Sequence, residues 1–258
     1  MPKLTRSQYI KFAREFMHDW ENKIDSYHAL TLARQINEWK RIGKMFDELI
    51  KTLSEQSNLS ANQIFKLAEY KKFITVAEQQ MNKYALFNSK ITTTAQKDFA
   101  QSGLTVSNTL LSKISTNFSR LPTESINRAI GITSDGSPLY QLFQKRFGER
   151  VDIASNILVD GIAKGNNPLR IAQEMRKQLD ISVYDSNRIL RTESLNIYRD
   201  VSYNSYVESG IVDGWLWLAE KDACEVCLAV EDGNPYPLDV IPESQHPFDR
   251  CGVAPNVS

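Results

Sequence analysis

The stretch GWLWLAEKDACEVC, residues 214–227, decides how the C-terminal part of the chain folds. Trp215 and Trp217 alternate with Leu216 and Leu218, so an extended backbone here carries apolar side chains on both sides. A short apolar run of this kind is typical of a strand that is buried on both faces. The sequence therefore predicts a small sheet that begins at this strand.

The residues after this stretch predict how the chain turns back. Asp232-Gly233 follows the apolar segment 228–230 and is a tight-turn dipeptide. Pro235, Pro237 and Pro242 come soon afterwards, and proline interrupts regular structure. We therefore expect a turn at Asp232-Gly233 and an irregular return path.

The same region holds a pattern typical of a metal site. All three cysteines of the chain, Cys224, Cys227 and Cys251, lie within 28 residues, and His246 lies among them. The pattern is C-x2-C, eighteen residues, then H-x4-C, which brings two pairs of sulfur and nitrogen ligands to one tetrahedral Zn²⁺. Four protein ligands close the shell, so the sequence predicts a structural zinc site at these four residues.

Two other interpretations of the cysteines stay open. They could be buried reduced thiols beside an incidental histidine, and an odd number of cysteines does not favour a disulfide framework. A redox C-x-x-C pair is less favoured because Asp222 and Glu225 flank it, and negative charge is expected to raise a thiol pKa. The redox interpretation also leaves His246 and Cys251 without a role.

Upstream of this region the sequence predicts long helices. No proline occurs from Lys3 to Leu121, and the only glycines there are Gly43 and Gly103. Ser60 is positioned to cap a third helix, whereas the polar segment 88–117 has weaker periodicity. The expected core positions recur at helical spacing. They are Ile10, Ala13, Phe16, Met17 and Trp20; Leu32, Ile36, Trp39, Ile42, Met45, Phe46 and Leu49; and Ile64, Leu67, Ala68, Lys71, Ile74 and Ala77.

The segment GITSDGSP, residues 131–138, concentrates turn-forming residues and predicts a boundary. We expect a helical N-terminal region over 1–130 and a second region over 131–258, with the zinc module at about 210–258. Within the second region the pattern predicts apolar segments at 140–147 and 151–163, a helix starting near Pro168, and a longer one over 184–209 closed by Gly210. The fold class is mainly α, with a small C-terminal α+β zinc-stapled module.

Charge is distributed unevenly along the chain. The 31 basic and 31 acidic residues balance overall, but residues 210–258 carry nine acids and two bases, a net charge of −7. Residues 1–209 are therefore net +7, which suggests two surfaces with different partners. No signal peptide or membrane-length apolar run is found in the sequence, so we expect no membrane partner and a cytosol-like compartment.

Residues 153–253 resemble the Mu F-like head morphogenesis domain of tailed phages. The resemblance rests on Arg191-Thr192-Glu193 in a helix, the Trp-containing strand, C-x2-C followed by Glu231-Asp232-Gly233, and the closing segment 246–251, HPFDRC. Members usually end this motif with C-R-C, and Asp249 stands where the first cysteine is expected. The fourth ligand is therefore either Cys251 as a thiolate or Asp249 through oxygen.

The resemblance implies a structural minor capsid protein of the virion head, at the capsid interior or portal vertex, which is present in the host cytoplasm during assembly. The implied partners are the portal protein and the major capsid or scaffolding protein. The basic helical part would contact packaged DNA without sequence preference, while the acidic zinc module would dock on protein.

No catalytic motif is recognised, and we expect that the protein is not an enzyme. Arg191 and Glu193 are two residues apart and so point to different faces of a helix, which favours structural pairing inside the module. The phosphate loop, the H-E-x-x-H helix and the G-x-S-x-G elbow are missing from the sequence. Two alternative functions remain. A nucleic-acid-binding zinc protein is disfavoured because residues 210–258 carry a net charge of −7. A zinc hydrolase or deaminase is disfavoured because the H-x-E signature is missing.

Overall fold

The computed structural model describes residues 6–55 and 60–257 and is mainly helical, as the sequence predicts. The helices are α1 Arg6–Ser54, α2 Ala61–Lys66, α3 Ala68–Ile114, α4 Thr123–Ala129, α5 Leu139–Ala163, α6 Pro168–Ser209 and α7 Glu225–Asp232. None of the described helices is both long enough and apolar enough to cross a membrane.

The predicted small sheet is present and has three antiparallel strands. They are β1 Gly214–Leu218, β2 Tyr236–Pro237 and β3 Gly252–Asn256, in the order β2-β1-β3. All five residues of β1 are buried, which confirms the prediction of a strand covered on both faces. In the register of the sheet, Leu216 lies opposite Ala254 and Gly214 lies opposite both Pro237 and Asn256.

Each face of β1 is covered by a different set of residues. Trp215 and Trp217 belong to a cluster with Tyr203 and Tyr206 of α6. Leu216 and Leu218 belong to another cluster, with Ala13 of α1, Val106 and Leu110 of α3, and Ala254 of β3. The alternation of side chains along a strand therefore explains why both the tryptophans and the leucines are buried.

The expected turn at Asp232-Gly233 is present, but it ends a helix: the N–H of Asn234 donates to Glu231 O at 3.1 Å. Asp232 is the last residue of α7, and Gly233 caps this helix with φ −76°, donating its N–H to Val230 O at 3.1 Å. Segment 228–230, the apolar segment before this turn, lies inside α7. The cause is the N-cap at Cys224, from which helical hydrogen bonding continues through the apolar residues.

The helices are longer than the separate stripes in the sequence suggest. The stripes that end at Trp20 and begin at Leu32 lie in the single helix α1, because the residues between them include neither glycine nor proline. Segments 140–147 and 151–163 likewise form one helix, α5, and the helix starting at Pro168 continues without a break to Ser209. Gly210, with φ +65°, follows α6 as the sequence predicts.

The expected helix starting after Ser60 is confirmed, but it is short. The backbone N–H of Ser60 donates to Gln63 Oε1 at 2.9 Å in a capping box, and α2 ends at Leu67, whose ψ of 138° is extended. The helical structure resumes in α3 and continues through the polar segment 88–114. This segment is helical despite its weak periodicity because Asn88, Thr92 and Gln96 are themselves buried.

Several expected core positions are confirmed and others are wrong. Buried positions include Ala13, Trp39, Ile42, Phe46, Ile64 and Ala77. Ile36 and Met45 are more than a third exposed, and Ala68 and Lys71 are exposed, because α3 buries Tyr70 and Phe73 instead. The burial expected for Phe16, Met17 and Trp20 lies outside the described side chains.

The chain forms two compact units, and each draws residues from both sides of the expected boundary at 131. Unit 1 comprises Met1–His28, Thr92–Ser137 and Arg188–Ser258, and unit 2 comprises Ala29–Ile91 and Pro138–Asn187. One division, between Ser137 and Pro138, falls in the turn-forming segment. The division into regions 1–130 and 131–258 rests on that turn and on the resemblance, and it stays a prediction.

Unit 2 has an aromatic core. Tyr84 lies between Trp39 and Phe147, with both ring-centroid distances equal to 4.7 Å. Phe143 stacks on Phe147 at 5.8 Å. Tilted, offset contacts of this kind stabilise a core by about 0.5–1.5 kcal/mol per pair beyond the burial of area. Unit 2 therefore has a packed core built from its own residues.

Candidate metal centre

The structure brings the predicted cysteines and histidine together. Cys224 is the N-cap of α7, and Cys227 lies in its first turn with its side chain buried. Residues 238–251 then return toward this turn, so His246 and Cys251 approach it from the other side. The C-x2-C spacing brings the two sulfur atoms together because three residues make nearly one helical turn, so both atoms lie at the same end of the helix.

The distances within the group suit a metal ion. Cys227 Sγ lies 3.4 Å from His246 Nε2, and the ligand atoms of Cys224, Cys227 and His246 all lie within 4.8 Å of one another. The same limit holds for Cys227, Asp249 and Cys251. Tetrahedral Zn²⁺ with ordinary bond lengths places its ligand atoms roughly 3.3–3.8 Å apart. The group could therefore hold a metal ion after small side-chain adjustments.

His246 is oriented so that its Nε2 atom faces the sulfur atoms. Its Nδ1 atom lies 2.9 Å from the backbone oxygen of Pro247. Donation of the Nδ1 proton to this carbonyl leaves the Nε2 lone pair free for a metal ion. The same hydrogen bond raises the pKa of His246.

The cysteine thiols have different acidities. Burial raises the pKa of Cys227 well above its usual range and raises that of Cys251 to about 11. Hydrogen bonding from the backbone N–H of Cys227 lowers the pKa of Cys224, so the expectation that flanking acids raise the thiol pKa is wrong at this residue. A metal cation would supply the positive charge that the buried thiolates of Cys227 and Cys251 need.

Asp249, the alternative fourth ligand, is engaged by protein N–H groups on both oxygens. Its Oδ1 atom accepts from the backbone N–H of Cys251 at 2.9 Å, and its Oδ2 atom accepts from that of Gln245 at 3.1 Å. The Arg199 guanidinium lies 3.1 Å from Oδ2, and both side chains of this ion pair are buried. This arrangement favours Cys251 as the ligand, which stays a prediction.

Arg199 is a residue of the site that the sequence analysis missed. It donates to Cys251 O at 3.1 Å and to Asn196 Oδ1 at 2.8 Å, and its guanidinium lies 5.7 Å from the centre of the Trp217 ring. One signal in the sequence could have identified it. Arg199 lies at helical spacing from the buried residues Leu195, Ser202 and Tyr206, and a charge on such a face needs a partner.

Arg191 and Glu193 contact different residues, in agreement with their two-residue spacing. Glu193 is buried and its Oε2 atom accepts the backbone N–H of Ser134 at 3.2 Å. Burial raises the pKa of Glu193 to about 7. Arg191 lies 3.6 Å from Asp25 of α1 and 5.9 Å from the centre of the Phe248 ring. Glu193 therefore has a partner, Ser134, inside the second region, as expected. The carboxylate beside Arg191, in contrast, is that of Asp25 in α1.

Comparisons with known proteins add no relative. No family model, no curated protein and no solved structure matches this chain. The protein is mainly helical with a small three-stranded sheet, next to which Cys224, Cys227, His246 and Cys251 form a group that could hold a metal ion.

Proposed function

We propose that this protein is a structural minor capsid protein of a tailed-phage head, associated with the portal vertex. In this proposal a structural zinc ion bound by Cys224, Cys227, His246 and Cys251 holds the C-terminal module together. The portal protein is the principal partner, and the major capsid or scaffolding protein is a further one.

The observation that carries the proposal is that the motifs of the Mu F-like resemblance meet around one group of ligands. The backbone N–H of Phe248 lies 3.4 Å from Thr192 Oγ1, although the two residues are 56 positions apart. The Trp-containing strand, the C-x2-C turn and Cys251 belong to a single core cluster. Motifs that pack on one another are expected when they define a single structural module.

A structural role for the metal is favoured over catalysis because its ligands would fill the shell. Four protein ligands leave no open position at which Zn²⁺ could activate water. Asp249, the acidic group beside the ligands, is paired with Arg199 and hydrogen bonded to two backbone amides, so it is not available as a general base. These contacts favour the structural protein over the zinc hydrolase.

Elemental analysis tests the metal part of the proposal. Protein purified without oxygen should contain about one zinc per chain. Cys227→Ser should abolish this content, whereas Asp249→Ala should retain zinc at micromolar protein concentration. Metal-free wild-type protein would contradict the zinc assignment, and loss of zinc in Asp249→Ala together with retention in Cys251→Ser would make the aspartate the fourth ligand.

Incorporation into heads tests the assembly part. The tagged chain, produced together with the portal and capsid proteins of its phage, should copurify with assembled heads and with the isolated portal protein. Cys227→Ser should be missing from the heads, whereas the matched control Val226→Ser, which changes an exposed neighbour, should be incorporated normally. A folded, head-bound Cys227→Ser protein that had lost a hydrolytic activity of the wild type would overturn the proposal.

Contact with packaged DNA is assigned to the basic residues 1–209. The affinity should then decline steeply with salt, because neutralised phosphates release counterions. Chelation of zinc should leave it unchanged. Sequence-selective binding that is insensitive to salt and is lost on chelation would favour the nucleic-acid-binding zinc protein instead.

A further inference from the structure

We infer that Arg199 and Asp249 are positioning residues that hold segment 245–251 in the conformation that binds the metal ion. This inference rests on the zinc centre of the proposed function, and it assigns to the pair a role that is separate from ligation. It concerns two side chains that are 50 positions apart in the sequence and that form a buried ion pair of 3.1 Å.

Asp249 fixes both ends of the segment that carries two of the ligands. One carboxylate oxygen accepts the backbone N–H of Gln245, the residue before His246, and the other accepts that of Cys251. A single side chain thus sets the backbone on either side of the H-x4-C motif. Charge-assisted hydrogen bonds to backbone amides are shorter and stronger than neutral ones, so they restrict this segment efficiently.

Arg199 connects that segment to α6 and to the sheet. Its guanidinium contacts Asn196 of α6, the backbone oxygen of Cys251 and the Trp217 ring of β1, in addition to Asp249. Only arginine offers a planar set of donors that can serve several acceptors in fixed directions. The position of Cys251 is therefore set by a helix that carries none of the four ligands.

The geometry separates this role from metal ligation. Asp249 Oδ1 lies 3.8 Å from Cys227 Sγ, a spacing that a ligand would also have, so the separation rests on the partners of the two carboxylate oxygens. Both carboxylate oxygens already have backbone donors, and a metal ion would have to replace them. A buried ion pair of this kind gives little net stability compared with well-packed apolar residues, so its expected value lies in fixing geometry. Residues that orient metal ligands from behind usually change metal affinity about 10- to 100-fold when they are replaced.

The test measures the zinc dissociation constant of the full chain by competition with a chromophoric chelator. Asp249→Asn and Arg199→Met should each raise this constant about 10- to 100-fold. Arg199→Lys should give a smaller increase, because an ammonium keeps the charge but cannot serve the same set of acceptors. The matched control is Arg150→Met, which breaks the Arg150–Asp185 pair of unit 2 and should leave zinc binding unchanged.

A double variant keeps the inference testable if the single variants fold poorly. Arg199→Met combined with Asp249→Leu leaves neither charge of the pair without its partner and should be more thermally stable than either single variant. Its zinc dissociation constant should nevertheless stay raised, because the amides of Gln245 and Cys251 have lost their acceptor. Wild-type zinc affinity in this double variant, or in Asp249→Asn, would overturn the inference.

Cobalt substitution distinguishes the remaining outcomes. Asp249→Asn should keep the thiolate-to-cobalt absorption of the wild type, whereas Cys251→Ser should lose part of it. The reverse pattern would make Asp249 a ligand and overturn the positioning role. If the wild-type chain binds neither zinc nor cobalt, the proposed metal centre itself is wrong. If the wild type binds zinc but replacement of Arg199 or Asp249 does not change the affinity, only the positioning role is wrong.

Discussion

Unit 2 and the C-terminal end of unit 1 bury different kinds of side chain. The centre of unit 2 is a set of aromatic rings in which Tyr84 contacts both Trp39 and Phe147. Beside the sheet of unit 1, the buried side chains include two cysteines together with Arg199 and Asp249. The first arrangement stabilises the fold chiefly by burial of apolar area and by contacts between the rings. The second needs every polar group to be matched by a partner.

The lengths of the secondary-structure elements explain why the two regions differ. The core of unit 2 is formed by segments of long helices, whereas β1 and β3 have five residues each and β2 has two. A sheet this small has too few cross-strand contacts to be stable without further packing or cross-links. We therefore expect the metal ion to be essential in the C-terminal module and irrelevant to the core of unit 2.

Removal of zinc should produce the largest difference in stability between the C-terminal module and unit 2. Structural zinc contributes on the order of 10 kcal/mol to small domains, so chelation should expose the backbone amides of β1 and β3 to hydrogen exchange. The amides around Phe73 and Phe147 in unit 2 should keep their protection. Equal loss of protection in both regions would show that the metal supports the whole fold, and Cys227→Ser protein provides the control in which chelation changes nothing.

Phe147→Ala should have the converse effect: it should destabilise unit 2 and leave zinc binding unchanged. Phe147 is fully buried, and truncation of such a ring costs about 3–5 kcal/mol through lost burial and the cavity that remains. Denaturant titration should report this loss while the zinc content stays at its wild-type value. Phe65→Ala, at a position that is 45% exposed, is the control and should cost much less. Loss of zinc in Phe147→Ala would contradict the independence of the two regions.

Glu193→Gln tests whether the burial of this acid destabilises unit 1. The pKa of Glu193 is raised from 4.5 to about 7, so between these values the folded state holds a proton that the unfolded chain has released. The free energy of unfolding therefore falls as pH rises through this window, by up to about 3 kcal/mol at pH 8. Glutamine has no such proton and can still accept from Ser134.

The variant should therefore be more stable than the wild type at pH 8 and equal to it at pH 4, as measured by thermal unfolding at both values. The difference between the two proteins cancels the pH dependence of the groups that do not interact with Glu193, whereas Asp135 and Asp200 do interact with it. A constant difference at all pH values would show that Glu193 acts through packing instead of charge.

Loss of an exposed ion pair should cause the smallest change in the free energy of unfolding. Arg176 and Asp47 in unit 2 pair at 2.8 Å, but their side chains are 58% and 37% exposed. Asp47→Asn should lower the free energy of unfolding by less than about 1 kcal/mol, and added salt should reduce even this difference. A loss as large as that expected for Phe147→Ala would show that unit 2 also depends on charge pairing.

Local sequence patterns predicted the parts of the fold that depend on neighbouring residues. The buried strand followed from the alternation of Trp215 to Leu218, and the cap at Ser60 followed from its chemistry. The approach of Cys224 and Cys227 to each other followed from their spacing, because they lie on one helical turn, whereas their binding of a metal ion stays a prediction. The continuity of α1 was missed because an apolar stripe drifts around a long helix and seems to stop.

The contacts that the sequence could not predict join distant segments. Arg199 and Asp249 are close only because α6 and the segment before β3 pack on the same side of the sheet, and no local pattern relates residues so far apart. Asp232-Gly233 forms the predicted turn, but its dipeptide chemistry also suits the end of a helix, and the sequence did not show that this turn ends α7.

The way in which the two units alternate along the chain sets the order in which they can form during synthesis. The ribosome delivers residues from the N-terminus, and domains fold as their residues become available. Unit 2 is complete once Asn187 has been made, whereas unit 1 still needs residues that begin at Arg188. The aromatic core can therefore assemble first, while 92–137 remains without its partner segment. Loading of the proposed metal ion would then be a late step of biogenesis, on a chain that is already partly folded.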